Sequence, residues 1–259
     1  MVFETYHPGG EKNIAHTALC AMMQGVDEGK SYADMIRLRL SGRVADRCHD
    51  TYYVARQADS AYARLWNGWG KHPDAIGNWG NFYTVEAARG QGIGGQLLKL
   101  WQQDMEHRDD APLCFLCSAG TKELTQLYAR FGFRPAIVGT EKGFLYRPNG
   151  DSPQNFRDFY TKYYGVSEVL YQRPANIEYR HEIDCLLRFA YKDLGLEFGI
   201  GEMQSVESAL LYAPERTGML FSKDGHCVGW TFDGIRQVYP MYGDTRVIVD
   251  EKMEKGMQV

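Results

Sequence analysis

No stretch of this chain approaches the run of about 20 apolar residues that a membrane-spanning helix needs. The opening residues, Met1 to Tyr6, lack the basic-then-apolar order of an export leader, so a cytoplasmic location and no membrane partner are expected. Positive charge is not in excess either. The formal net charge is −4, which leaves no electrostatic footprint for duplex nucleic acid and makes nucleic acid an unexpected partner. The six cysteines are scattered, and only Cys114 and Cys117 stand close together. They fall in "LCFLCS", which reads as a strand. Residues three apart on a strand face opposite sides, so neither a zinc site nor a redox pair is expected there. No metal is expected elsewhere, and reduced thiols are the default.

What is present is ordinary globular chemistry. Apolar residues make up 44% of the 259, and charged residues 24%. That is enough for a core without staples, and the length suits two small domains. "PNGDSP", Pro148 to Pro153, has linker chemistry. It sets the expected boundary, with one domain over 1–150 and a smaller α+β region over 151–259.

Periodicity suggests the order of elements. "VFETYH" reads as a strand. Ile14, Ala18, Met22 and Val26 recur at four-residue steps and predict a helix. "SYADMIRLRLSG" predicts a second helix, capped by Ser31 and ended by Gly42. "TYYVARQADSAYARLW" reads as a hairpin turning at Ala58-Asp59-Ser60. "GKHPDAIGNWG" is rich in Gly, Pro and Asn and reads as a loop, and "NFYTV" as the strand after it. "APLCFLCS" is an apolar central strand. "TKELTQLYARFG" is a helix stopped by Gly132. "FRPAIV" and "GFLYRP" pair as a hairpin. Beyond the linker the order strand, helix, helix, hairpin, strand returns. The second region therefore reads as a degenerate copy of the first half, with an unrelated α+β appendage as the alternative. His181, Glu182 and Asp184 read there as a solvated helix face.

The chemistry concentrates in "AARGQGIGGQLLKLW", Ala87 to Trp101, which holds four glycines between Gly90 and Gly95. A strand feeds a glycine turn that opens a helix. First-turn amides have no helical partner and, without Cβ atoms around them, can converge on an anion. Arg89 adds a fork for phosphate or for fixing the turn. No Gly-Lys-Ser/Thr follows, so this is not a P-loop. The glycine spacing and the lack of an acid-tipped second strand exclude a dinucleotide fingerprint.

Arg89-Gly90-Gln91-Gly92-Ile93-Gly94 resembles the central motif of the GCN5-related N-acetyltransferases, the GNAT family. Leu127-Tyr128-Ala129-Arg130-Phe131-Gly132-Phe133 is similar to the end of that family's later helix. The resemblance implies a mixed α/β fold, the acyl-CoA N-acyltransferase fold, over the first domain. It implies acetyl-CoA as the donor. The pyrophosphate would rest on Arg89, Gly90, Gln91, Gly92, Ile93, Gly94, Gly95 and Gln96, and the pantetheine arm along Phe82, Thr84 and Val85. Tyr128 would be the general acid for the leaving thiolate. Thr121 stands where the family commonly has Asn, and Leu124 where Ala is usual, which narrows the groove. The expected activity is acetyl transfer to a primary amine, small or on a protein, by direct attack in a ternary complex. A non-catalytic CoA-binding or protein-interaction module is the alternative, and an enzyme acting on a nucleobase amine a third. A homodimer is left open. Glu86, His72 and Asp74 are candidates for the base. The aromatics Trp66, Trp69, Trp79, Phe82 and Tyr83 read either as core or as an acceptor pocket or dimer face.

Overall fold

The computed structural model describes residues 1–137, 139–141, 143–165, 169–193, 200–238 and 246–249. The chain divides into two compact units, Met1–Phe156 and Arg157–Val259.

The first unit is one seven-stranded mixed sheet with helices on both faces. Strand β1 (Val2–Tyr6) is followed by helices α1 (Ile14–Val26) and α2 (Ala33–Leu40). Then come β2 (Cys48–Gln57), β3 (Ser60–Gly70) and β4 (Ile76–Thr84), helix α3 (Ile93–Glu106) and strand β5 (Cys114–Ala119). Helix α4 (Lys122–Ala129) and strands β6 (Arg134–Pro135) and β7 (Gly143–Pro148) complete it. The spatial order is β1-β2-β3-β4-β5-β7-β6. Only β4 and β5 run parallel, because α3 crosses between them.

Local chemistry sets several of these elements. The Asn13 side chain accepts from the His16 amide at 3.1 Å and caps α1. The α1 face bearing Ala15, Leu19 and Met23 meets Tyr52, Val54 and Trp66 of the sheet. On the opposite sheet face α3 buries Ile93, Leu97, Trp101 and Met105, spaced for one side of a helix. Trp79, Phe115, Tyr128 and Phe133 close that second core. Burial of each large apolar side chain contributes about 1.5–3 kcal/mol.

Three expectations need correction here. Tyr32, not Ser31, is the N-cap of α2, and no side chain caps it. "IGNWG" is strand rather than loop, since β4 begins at Ile76. Its Gly77 and Asn78 are turn formers in isolation, but Gly77 is needed here. A Cβ at Gly77 would come within 2.7 Å of Pro112 and 2.8 Å of Phe115. The strand before Gly143 shrinks to two residues, Arg134–Pro135.

The second unit contains α5 (Phe156–Tyr163), β8 (Val169–Pro174), α6 (Arg180–Asp193), α7 (Ile200–Tyr212), β9 (Thr217–Phe221), β10 (Cys227–Phe232), β11 (Ile235–Val238) and β12 (Arg246–Val249). Its sheet order is β11-β10-β9-β8-β12. Strands β8 to β11 form an antiparallel run with two helices after the first strand. That is the order of β1 to β4. β11, unread in the sequence, fills the place corresponding to β4, and β12 lies parallel on the far side of β8. His181, Glu182 and Asp184 are buried, not solvated. Pairing makes this tolerable: Arg180 Nε lies 3.1 Å from His181 Nε2, and Arg188 holds Asp184 at 2.8 Å. Among the described residues, no helix is long and apolar enough to cross a membrane, and no cluster of His, Cys, Asp and Glu could hold a metal ion.

Candidate functional site

The site is built where β4 and β5 part. They pair only at Ile76, Gly77 and Asn78 with Cys114, Phe115 and Leu116. Beyond that, β4 continues to Thr84 and β5 to Ala119 with no ladder between them. β4 also carries a bulge. Arg64 faces Tyr83, yet Trp66 faces Gly80, so Asn81 and Phe82 together oppose one residue of β3. Asn81 takes the left-handed conformation, φ +50°.

The chain leaves β4 through a short 3-10 turn, Glu86–Ala88, and enters the glycine loop. Gly90 and Gly92 have φ of +77° and +76°, which L side chains rarely adopt. Gly92 is the N-cap of α3. No side chain caps this helix and no acid lies in its first turn. The first amide to bond back is that of Gln96, to the Gly92 carbonyl at 3.1 Å. The Ile93, Gly94 and Gly95 amides therefore lie outside the intrahelical ladder, at the positive end of the helix dipole. A Cβ at Gly90, Gly92 or Gly95 would meet nothing within 4 Å. Open space over free amides fits a pyrophosphate. Gly94 differs: a Cβ there would come within 2.7 Å of Phe82 Cζ, so this glycine lets α3 settle on β4.

The neighbouring side chains shape the turn. Arg89 folds back, donating from Nε to the Thr84 carbonyl at 3.1 Å. Gln91 donates to the Ala87 carbonyl at 3.2 Å. The Val85 amide is tied to the Tyr62 carbonyl at 2.9 Å. Thr121 is the N-cap of α4, accepting from the Leu124 amide at 3.3 Å.

Tyr128 lies on α4 and is 3% exposed. Its ring stands edge-on to Trp79 at 4.7 Å and 6.0 Å from Phe82. Burial, followed by the nearby Cys117 thiol, pushes its hydroxyl well above the ordinary tyrosine value. At neutral pH it is a phenol, able to donate a proton but not to act as a resident base. The buried indole Nε1 of Trp79 has no hydrogen-bond partner among the described residues.

The base candidates scatter. Glu86 is exposed in the 3-10 turn. His72 and Asp74 lie before the start of β4 at Ile76, whereas Thr84 is the last residue of that strand. There they line a separate cavity of about 450 Å³ with His49, Trp69 and Asp110. The aromatic cluster also divides: Trp66 belongs to one core, and Trp69 and Trp79 to the other. Sequence reasoning missed the bulge and the ion pair of Asp27 with Arg64. Gly80-Asn81 inside a strand pattern was the available sign of the bulge.

This geometry defines an acyl-CoA N-acyltransferase fold. Residues 48–135 match the family model for the acetyltransferase (GNAT) domain, which bears out the resemblance read from the two motifs. An acyl-CoA N-acyltransferase from Pseudomonas aeruginosa is 21% identical, over 56% of this chain and 98% of that one, with a TM-score of 0.42. ElaA from Escherichia coli is 18% identical, over 57% and 99%, with a TM-score of 0.43. YhbS, a GNAT family N-acetyltransferase from Escherichia coli solved in complex with CoA, is 16% identical over 57% and 82%, with a TM-score of 0.41. No curated protein matches the chain.

Proposed function

We propose that the first unit transfers an acetyl group from acetyl-CoA to a primary amine, small or protein-borne, by direct attack within a ternary complex. One observation carries the reading. The N-terminus of α3 is uncapped, free of acids and open above its glycines, and it lies at the end of a strand already parted from β5. Acetyl-CoA supplies the activated acyl carbon as a thioester. The Ile93, Gly94 and Gly95 amides bind the diphosphate, and the loop excludes carboxylates that would repel it. Backbone amides at the end of β4 polarise the thioester carbonyl. The amine nitrogen bonds to that carbon, the C–S bond breaks, and the Tyr128 hydroxyl protonates the departing thiolate. The proton lost by the amine passes to solvent, and solvent returns a proton to the Tyr128 phenolate.

A second reading, a CoA-binding module without turnover, is favoured by one observation. Tyr128 is buried edge-on against Trp79, as a purely structural tyrosine would be. Release of free CoA thiol from acetyl-CoA, followed against a panel of small amines and lysine peptides, separates the two. Amine-dependent release supports transfer. Saturable CoA binding with no release for any amine supports the module.

A further inference from the structure

We propose that Arg64 is a positioning residue for this transfer, holding the β4 bulge in the shape that the strand end requires. The inference rests on the acetyl-transfer reading above. Arg64 is 3% exposed and lies on β3 directly opposite Tyr83. Its Nε donates to the Asn81 carbonyl at 3.3 Å. Its Nη2 forms an ion pair with Asp27, which is 1% exposed. Asp27 is the C-cap of α1, and Tyr32 donates to its Oδ1 at 3.1 Å. Among the described residues Nη1 has no hydrogen-bond partner, so Nε and Nη2 carry the polar contacts.

A bulge leaves its extra residue out of the ladder, and a carbonyl freed that way needs another donor. Here the donor is a charged side chain anchored to a different element. The peptide that follows is trans and planar. Fixing the direction of the Asn81 carbonyl therefore fixes the direction of the Phe82 amide. Phe82 in turn carries the ring on which Gly94 of α3 rests. Arg64 thus orients two parts of the donor site without touching it. Asn81 has φ +50°, in the left-handed region that asparagine tolerates better than most other non-glycine residues.

The test compares Arg64→Met, Arg64→Lys and Asp27→Asn with the wild-type chain. The lysine variant keeps the charge facing Asp27 but not the Nε donor, so it separates pinning from overall stability. Hydrogen exchange at residues 80–84 is expected to quicken about tenfold in the lysine variant, with β2 amides unchanged. With a turned-over amine, kcat is expected to fall on the order of tenfold to a hundredfold. The dissociation constant for acetyl-CoA, by calorimetry, should stay within about threefold. A folded lysine variant with wild-type exchange at residues 80–84 overturns the inference whatever the turnover shows. Quickened exchange with unchanged kcat overturns the link to transfer. A wild-type chain that binds CoA and acetylates no amine sinks the reading of function instead, and the exchange result then decides whether Arg64 holds the bulge.

Discussion

Gly95→Ala should make the protein more stable and poorer at holding CoA. Gly95 is the third residue of α3 and its φ is ordinary, unlike those of Gly90 and Gly92. A methyl group at this position meets nothing within 4 Å. The folded state therefore gains no clash, while the unfolded chain loses freedom. Alanine in place of glycine inside a helix is worth about 0.5–1 kcal/mol. For a unit of this size each kcal/mol moves the melting midpoint by about 2–4 °C, so a rise of about 1–4 °C is expected. The same methyl group tilts toward the helix N-terminus, the end at which the Ile93, Gly94 and Gly95 amides are free. If the diphosphate rests there, CoA affinity falls about tenfold, equivalent to about 1.4 kcal/mol. Gly92→Ala is the control. It too meets open space, but φ is +76°, and the left-handed conformation costs an L residue about 1–2 kcal/mol. Its melting midpoint should drop. Thermal scanning and calorimetric titration with CoA read both quantities. A stabilised Gly95→Ala protein with undiminished CoA affinity would show that no anion is held above Gly95. A destabilised one would refute the open space.

Tyr128→Phe keeps the ring against Trp79 and removes only the hydroxyl. Turnover should fall by about 10²-fold while CoA affinity holds, and an unchanged rate in the thiol-release assay would remove the acid role. Arg64→Met leaves the Asp27 carboxylate buried, with Lys30 3.8 Å away, and should cost about 3–5 kcal/mol in denaturant unfolding. The double variant Asp27→Leu/Arg64→Met should recover most of that loss, and simple additivity would refute a coupled pair. Burial raises the hydroxyls of Tyr53 and Tyr128 above their ordinary value of 10, and that of Tyr179 to about 12. Above about pH 10 the unfolded chain releases phenolic protons that the folded chain keeps, so stability falls as pH rises through that range. Melting midpoints that stay level between pH 9 and 11.5 would contradict this.

The glycine turn was legible because its chemistry is local. Gly90 to Gly95 announce a turn with free amides, and Ile93, Leu97 and Trp101 announce the helix behind it. Leu127 to Phe133 gave the second motif only through its similarity to the end of the family's later helix. What escaped depends on tertiary contact. Gly77 and Asn78 look like a loop until Phe115 and Pro112 crowd against them. The bulge is one additional residue on β4, invisible unless β3 is laid beside it. Asp27 and Arg64 are 37 positions apart, and neither has a local reason to be buried. His181, Glu182 and Asp184 form a polar stripe that suggests solvent, until Arg180, Arg188 and the buried Glu207 are brought around them. Charge predicts exposure only while its partners are unknown.

The Asp27–Arg64 pair also constrains how this protein can change over generations. A carboxylate at the C-terminal end of a helix faces a partial negative charge, and burial worsens its position. The arginine opposite makes the aspartate tolerable, and the aspartate makes the arginine tolerable. Either one alone is a liability. A lineage that loses the first without the second must cross a poorly folded intermediate, so the two positions should be inherited as a unit or exchanged together for an apolar couple. The fold thereby couples the identity of a residue at the end of α1 to that of one in the middle of the sheet.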